Sequence, residues 1–86
     1  MEELLQFLIS NLVLDKDAVA IKVTEKEDNY VDLLISVAED DIGRVIGRQG
    51  KIINAVRTLA KAVGIKNGKK YSVEILNGEK KTRQNN

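Results

Sequence analysis

Apolar residues recur along this chain at helical spacing, then at every second position, then at helical spacing again, and last in alternation once more. Leu4, Leu5, Leu8, Ile9, Leu12 and Val13 stand on one helical stripe behind Glu2 and Glu3. Acids suit the positive end of a helix dipole, so a helix is expected from Glu2 to about Val13. Asp15-Lys16-Asp17 reads as a turn. Val19, Ile21 and Val23 alternate with Ala20, Lys22 and Thr24, the pattern of a half-buried strand. After the polar connection EKEDN (25–29), Val31, Leu33, Ile35 and Val37 alternate again as a second strand, antiparallel to the first.

The acids between Ala38 and Asp41 mark a helix start, and Ile42, Val45 and Ile46 continue a short helix that stops at Gly47. A longer helix is expected from about Lys51 to Val63, with Gly64 as its left-handed end. KNGKK then turns the chain, and Tyr71, Val73 and Ile75 alternate as a third strand. The last ten residues, NGEKKTRQNN, have nothing to bury and read as a mobile basic tail over 77–86. The order helix, strand, strand, helix, helix, strand predicts one α+β domain over 1–76, with helices covering one face of a three-stranded sheet.

Composition narrows the chemistry. The 86 residues include no cysteine and no histidine, which removes disulfides, thiolate sites and the commonest general base and metal ligand. Nothing in the chain forms a metal constellation, an activated nucleophile or a paired acid and base, so neither an enzyme nor a cofactor is expected. Asp40 and Asp41 read as helix-start acids beside Arg44 rather than a catalytic pair. No apolar run reaches the roughly 20 residues that span a bilayer, and the acidic start MEELLQFLIS is unlike a signal peptide. A cytoplasmic protein without membrane contact is the expectation.

Charge is uneven. Residues 1–41 carry three lysines against eleven acids, −8, while residues 42–86 carry eleven cations against two acids, +9. Halves of opposite sign point to a basic surface for an anion, often a nucleic acid. Taken singly, Arg57, Lys61, Lys66, Lys69 and Lys70 read as an ordinary solvated face, and Tyr30 and Tyr71 as strand tyrosines half-covering a sheet.

The interruption GRVIGRQGKI concentrates the candidate chemistry. A nucleotide-binding P-loop would need glycine where Val45 stands and a hydroxyl where Ile52 stands; a dinucleotide fingerprint also needs glycine at 45 and a preceding strand. Both fail. Two helices meeting at a tight turn instead leave the second helix's first N–H groups unpaired, an anion site by geometry and dipole. Small residues at Gly47 and Gly50 let a sugar–phosphate chain approach the backbone. Arg48 and Lys51 supply charge, and Gln49 supplies a neutral donor and acceptor.

With that loop, VIGRQGKIINAVRTLAKAV resembles the GxxG segment of KH domains, whose loop clamps about four backbone nucleotides of RNA. The leading helix and strand match the type II arrangement, and the chain is similar in size and wording to the small bacterial single-KH proteins of the KhpA type. The resemblance covers roughly residues 1–76. It implies that Gly47, Arg48, Gln49 and Gly50 clamp the backbone of a single-stranded RNA segment. Ile42, Gly43, Ile46 and Ile53 would form or support one wall of the groove, and the second strand, around Leu33 to Val37, would edge the other. Arg44 and Lys51 match flanking basic positions. No acid lies between the glycines, so binding competence is implied. The resemblance also implies dimers, with a second copy or a larger KH-containing protein, and work as a low-specificity RNA chaperone or post-transcriptional regulator.

The long helix adds a second feature. Its apolar residues from Ile52 to Val63 span about 180°, wider than the roughly 100° that faces a core. The flank at Ala55 and Ala62 is therefore a candidate surface for a second copy, or for a protein–protein adaptor in the rival reading.

Overall fold

The computed structural model describes residues 1–77 and 80–81. Its elements are α1 (Glu2–Ser10), β1 (Ala20–Lys26), β2 (Tyr30–Ser36), α2 (Ile42–Ile46), α3 (Lys51–Asn67), β3 (Lys70–Asn77) and the two-residue β4 (Lys80–Lys81). The order and the α+β class follow the alternation of helical and strand periods in the sequence.

β1 and β2 form an antiparallel hairpin, with Ala20 opposite Ser36 and Lys26 opposite Tyr30. The turn places Asp28 and Asn29 both at φ 61°, a conformation that short polar side chains tolerate, and the Tyr30 N–H donates to the Glu27 carbonyl (3.3 Å). β3 runs parallel to β2, from Tyr30 opposite Lys70 to Ile35 opposite Ile75. Parallel neighbours need a crossover connection, and α2 with α3 supplies it. The strand order is β1-β2-β3-β4, so β2 is an interior strand.

Alternation on the strands sorts the two sheet faces. Val31, Leu33 and Ile35 are buried, flanked in register by half-buried Ile21 and Val23 on β1 and by buried Val73 and Ile75 on β3. Leu5 and Ile9 of α1, Ile42 and Val45 of α2, and Ile53, Val56 and Ala60 of α3 close over this face as a single core. Every buried hydrophobic is aliphatic. Each large side chain there contributes about 1.5–3 kcal/mol by leaving water. The opposite face carries Lys22, Leu34 and Glu74 in one register row.

Three boundaries differ from the sequence reading. α1 ends at Ser10 rather than Val13, because the Asn11 side chain donates to the Phe7 carbonyl (2.7 Å) and Lys16 Nζ donates to the Ser10 carbonyl (2.9 Å). These groups satisfy the last-turn carbonyls and release Val13 to enter the core separately, at 3 % exposure. α3 runs past Gly64 to Asn67, and Gly68 is its left-handed end at φ 71°. Gly64 is instead buried inside the helix, where an added methyl group would run into the Lys69 carbonyl oxygen and approach the Tyr71 ring to 3.3 Å. Its smallness lets the chain fold back: the Lys69 N–H donates to the Gly64 carbonyl (2.8 Å), closing a Schellman-type end. The third difference is at the C-terminus, where Lys80–Lys81 pairs antiparallel with Leu76–Asn77. The remainder of the expected tail, 78–79 and 82–86, lies outside the described residues.

Candidate nucleic-acid interface

α2 and α3 meet at Gly47–Gly50, and the corner is built almost entirely from unusual backbone angles. Gly47 lies at φ 79°, ψ 170°, Gln49 at φ 58°, ψ 26°, and Gly50 at φ 75°, ψ 15°. The Gly47 conformation is essentially restricted to glycine, and an added Cβ would stand 2.6 Å from Ile52 Cγ1 and 2.9 Å from the Ile52 nitrogen. Gly50 is in the ordinary left-handed region, and its added Cβ would meet only Asn54 Nδ2 at 3.6 Å and Ile53 Cγ2 at 4.0 Å. The two glycines therefore answer different demands. Gly47 is fixed by backbone and packing; Gly50 is fixed by backbone alone.

The amide donors differ from the expected set. The Gly47 N–H donates to the Gly43 carbonyl (2.9 Å), and the Gly50 N–H donates to the Gly47 carbonyl (3.1 Å). The Lys51 N–H donates to the Arg48 carbonyl. The first N–H groups of α3 are thus partly satisfied by the loop, because left-handed Gln49 and Gly50 tighten it into a 3-10 turn. Among the described residues, the loop amides left without a protein acceptor are those of Arg48 and Gln49. Both side chains are exposed, as is Lys51, while Gly47 and Gly50 are half-buried. The corner faces solvent with two amides, one guanidinium, one carboxamide and one ammonium group.

The wall residues divide by depth. Ile53 (3 % exposed), Ile42 (9 %) and their neighbour Val45 (0 %) belong to the core and support the corner from below. Gly43 is exposed and Ile46 half-buried, so these two present the surface of α2. The second strand cannot edge the groove as the resemblance implied, because β1 and β3 flank it along its length. Its end, at Ser36 and Val37, joins Glu39, Ile42 and Leu76 around an open cleft of about 220 Å³. Among the described residues, β3 is the strand with an edge beside α3, and its pairing there is with β4 at Leu76 and Asn77.

Arg44 is less available than the sequence suggests. Its Nη1 donates to the Asp40 carbonyl (3.0 Å) and to Asp41 Oδ1 (3.1 Å), although the side chain stays 45 % exposed. Asp41, at 2 % exposure, also accepts the Leu14 N–H (3.1 Å) and the Asp15 N–H (3.0 Å). One carboxylate thus ties the segment after α1 to the start of α2. Asp41 is therefore a structural brace. The backbone donors at Asp15 and Leu14, and then the Arg44 charge, hold its carboxyl below the ordinary value of 3.8 against the opposing cost of burial. A depressed acid stabilises the fold fully above its ordinary pKa and loses that contribution as pH falls through its folded value. The thermal midpoint is therefore expected to decline as pH drops below about 4. Asp41→Asn should flatten that decline in a pH series of melts; an unchanged slope would remove the brace.

Sequence reasoning missed a second polar line. Arg57, read as part of a solvated face, is half-buried: its Nε donates to the Val73 carbonyl of β3 (2.9 Å), and its Nη1 reaches Asn54 Oδ1 (3.4 Å). The spacing 50, 54, 57 could have placed these residues on one helix face, but which face meets a strand edge is decided by packing. Lys61, Lys66, Lys69 and Lys70 are exposed, as expected; Tyr71 is half-buried at the core margin and Tyr30 is 38 % exposed.

A family model described as KhpA/KhpB, KH domain, matches residues 2–75. The chain belongs to the KhpA/KhpB KH-domain family. Similar proteins include the RNA-binding protein KhpA of Listeria monocytogenes serovar 1/2a, 45 % identical over 76 residues that cover 88 % of this chain and 99 % of the relative. The RNA-binding protein KhpA of Chlamydia pneumoniae is 40 % identical over 76 residues, covering 88 % and 96 %. That of Borreliella burgdorferi is 38 % identical over 74 residues, covering 86 % and 89 %. No solved structure matches. The matched span of the KH domain contains the whole α2–loop–α3 corner and ends within β3.

Proposed function

We propose that this KH domain binds single-stranded RNA at the Gly47–Gly50 corner, and the observation that carries the reading is the pair of outward loop amides at Arg48 and Gln49. Relatives sharing two-fifths or more of its residues bear the name RNA-binding protein, and the family is not one of enzymes. Phosphates meet the two amides, the Arg48 guanidinium and the Lys51 ammonium; bases turn toward Gly43, Ile46 and the edge of β3. A segment of about four nucleotides fits this length of groove. One such contact is weak and sequence-tolerant, which suits an RNA chaperone or post-transcriptional regulator in the cytoplasm.

Dimers raise the affinity of weak modules through effective concentration. On α3, Ala55 and Ala62 are exposed together with Leu59 (37 %) and Ile65 (75 %), an apolar strip on the helix side away from the core. This strip supports a homodimer, or pairing with a larger KH-containing protein, and it is also what an adaptor would use. RNA titrations of the wild type and of Ala62→Glu across a salt series separate the readings. Log affinity should fall with log salt at about −0.7 per phosphate contacted. Ala62→Glu should sediment as a monomer, keep that slope per site and lose avidity for long RNA. A salt-independent affinity would sink the RNA reading, and an unchanged oligomer would remove the strip from the dimer.

A further inference from the structure

We propose that the outward face of α1, centred on Phe7, docks a second protein, and that it takes an amphipathic helix with lysine or arginine along its polar rim. The face belongs to a different helix from the RNA corner, and the RNA-binding reading above makes no use of it.

A surface helix ordinarily turns polar residues outward. Leu5 and Ile9, both at 0 % exposure, fix the inward side of α1. At about 100° per residue, Phe7 stands on the side of the helix opposite their midpoint. It is the single phenylalanine of the chain and is 66 % exposed. Leu4 (37 % exposed) precedes Phe7 by three residues, and half-buried Leu8 follows Leu4 by four, so the three adjoin on one stripe. The backbone beneath this surface is held still. The Phe7 carbonyl accepts the Asn11 side chain (2.7 Å), which finishes the helix. Past that end, Leu14 is 75 % exposed, while its N–H and that of Asp15 are held by the buried Asp41 carboxylate (3.1 and 3.0 Å). Phe7 and Leu14 take no part in the core. Apolar groups on a fixed backbone lose little freedom on binding, and exposed aromatic anchors carry much of the energy of protein interfaces.

Charge selects the occupant. Glu2 and Glu3 begin the helix, and Asp15 and Asp17 follow its end. All four are exposed, and none joins an ion pair among the described residues. Lys16, the cation between the last two, turns its Nζ onto the Ser10 and Val13 carbonyls (2.9 and 3.4 Å) rather than onto a carboxylate. The face is therefore apolar at its centre and acidic at both ends. RNA and anionic lipid are repelled by such a surface. A two-fold contact between copies of this chain would set the four acids of one against the same four of the other. A helix with apolar residues at i, i+3, i+4 and i+7 and cations around them meets both features at once.

The test uses the full chain labelled with nitrogen-15 and two probe peptides of about 18 residues with leucine at that spacing, one carrying lysine and one glutamate at every other position. The lysine peptide should give saturable NMR shifts centred on Glu2 to Asp17, and the glutamate peptide none. Phe7→Ser should weaken the lysine peptide at least about tenfold while binding hexauridine as the wild type does. Glu3→Lys combined with Asp15→Lys should weaken it by a similar factor at low salt and far less at high salt, where screening already removes the attraction. Thermal melts verify that both variants fold. No binding of the lysine peptide, or shifts centred elsewhere, such as on the α3 strip, overturns the proposal. Equal binding of the glutamate peptide, or unchanged affinity in either variant, does the same. If Phe7→Ser dissociates an oligomer of the free chain, a second copy occupies the face and the proposal fails; if it loses hexauridine, α1 belongs to the RNA site and the proposal fails as well.

Discussion

Replacing Arg48 and Gln49 together by aspartate should reduce affinity for single-stranded RNA at least a hundredfold while leaving the thermal midpoint within a few degrees. Both side chains are exposed and make no hydrogen bond to the rest of the described protein, so the fold does not depend on them. At the loop they flank the two unpartnered amides. The change removes one cation and one neutral donor and sets two anions against a phosphate chain. Charge-assisted hydrogen bonds contribute about 1.5–3 kcal/mol each, and losing two corresponds to two or more decades of affinity. The loss should shrink at high salt, because screening weakens both the attraction and the new repulsion. Anisotropy with a short random RNA reports the affinity, and analytical ultracentrifugation reports whether the oligomer survives. Binding that persists in the double variant at low salt would show that nucleic acid lies elsewhere on the protein.

The two loop glycines should respond differently to substitution. Gly47→Ala forces a side chain into φ 79°, ψ 170° and onto Ile52, the second residue of α3. Backbone strain of this kind costs about 1–3 kcal/mol, and displacing a packed isoleucine adds to it. For a domain of this size, a loss of about 3 kcal/mol lowers the midpoint by roughly 15 °C, a large part of its total stability. Gly50→Asn keeps a left-handed residue type and meets nothing closer than 3.6 Å at its Cβ. It should melt within about 5 °C of the wild type, yet bind RNA less well because the new side chain stands where the sugar–phosphate chain approaches. Equal melting losses at both positions would contradict the division between packing and backbone at this corner.

Much of this was legible in the residues. The helix–strand order, the antiparallel hairpin, the core face of each strand and the position of the GxxG corner all follow from local rules. Period, charge at a helix start and glycine at a turn act over a few residues, and a single sequence displays them. Differences arose at helix ends, where a group five or six residues away, just past the helix, competed with the helical preference. Lys16 reached back to the Ser10 carbonyl and shortened α1. The Lys69 carbonyl pressed on Gly64 and turned an apparent helix end into a buried contact.

The candidate site shows the same division. Gly47, Arg48, Gln49, Gly50 and Lys51 are contiguous, so their joint presence at one corner was readable. Which amides remain open was not, since that depends on the left-handed turn closing Gly50 and Lys51 onto the loop's own carbonyls. Asp41 looked like one more helix-start acid until residues 14 and 15, far behind it in the chain, placed their N–H groups on its carboxylate. Arg57 looked like surface charge until β3 came to lie parallel to β2 and offered it the Val73 carbonyl.

By itself, then, the sequence determined the elements, the aliphatic core and the polar corner, because each rests on chemistry between near neighbours. Tertiary structure alone decided which strand has an open edge, which carboxylate is buried and which arginine is held in place. Those properties depend on contacts between residues 16 to 40 positions apart, which no local pattern encodes.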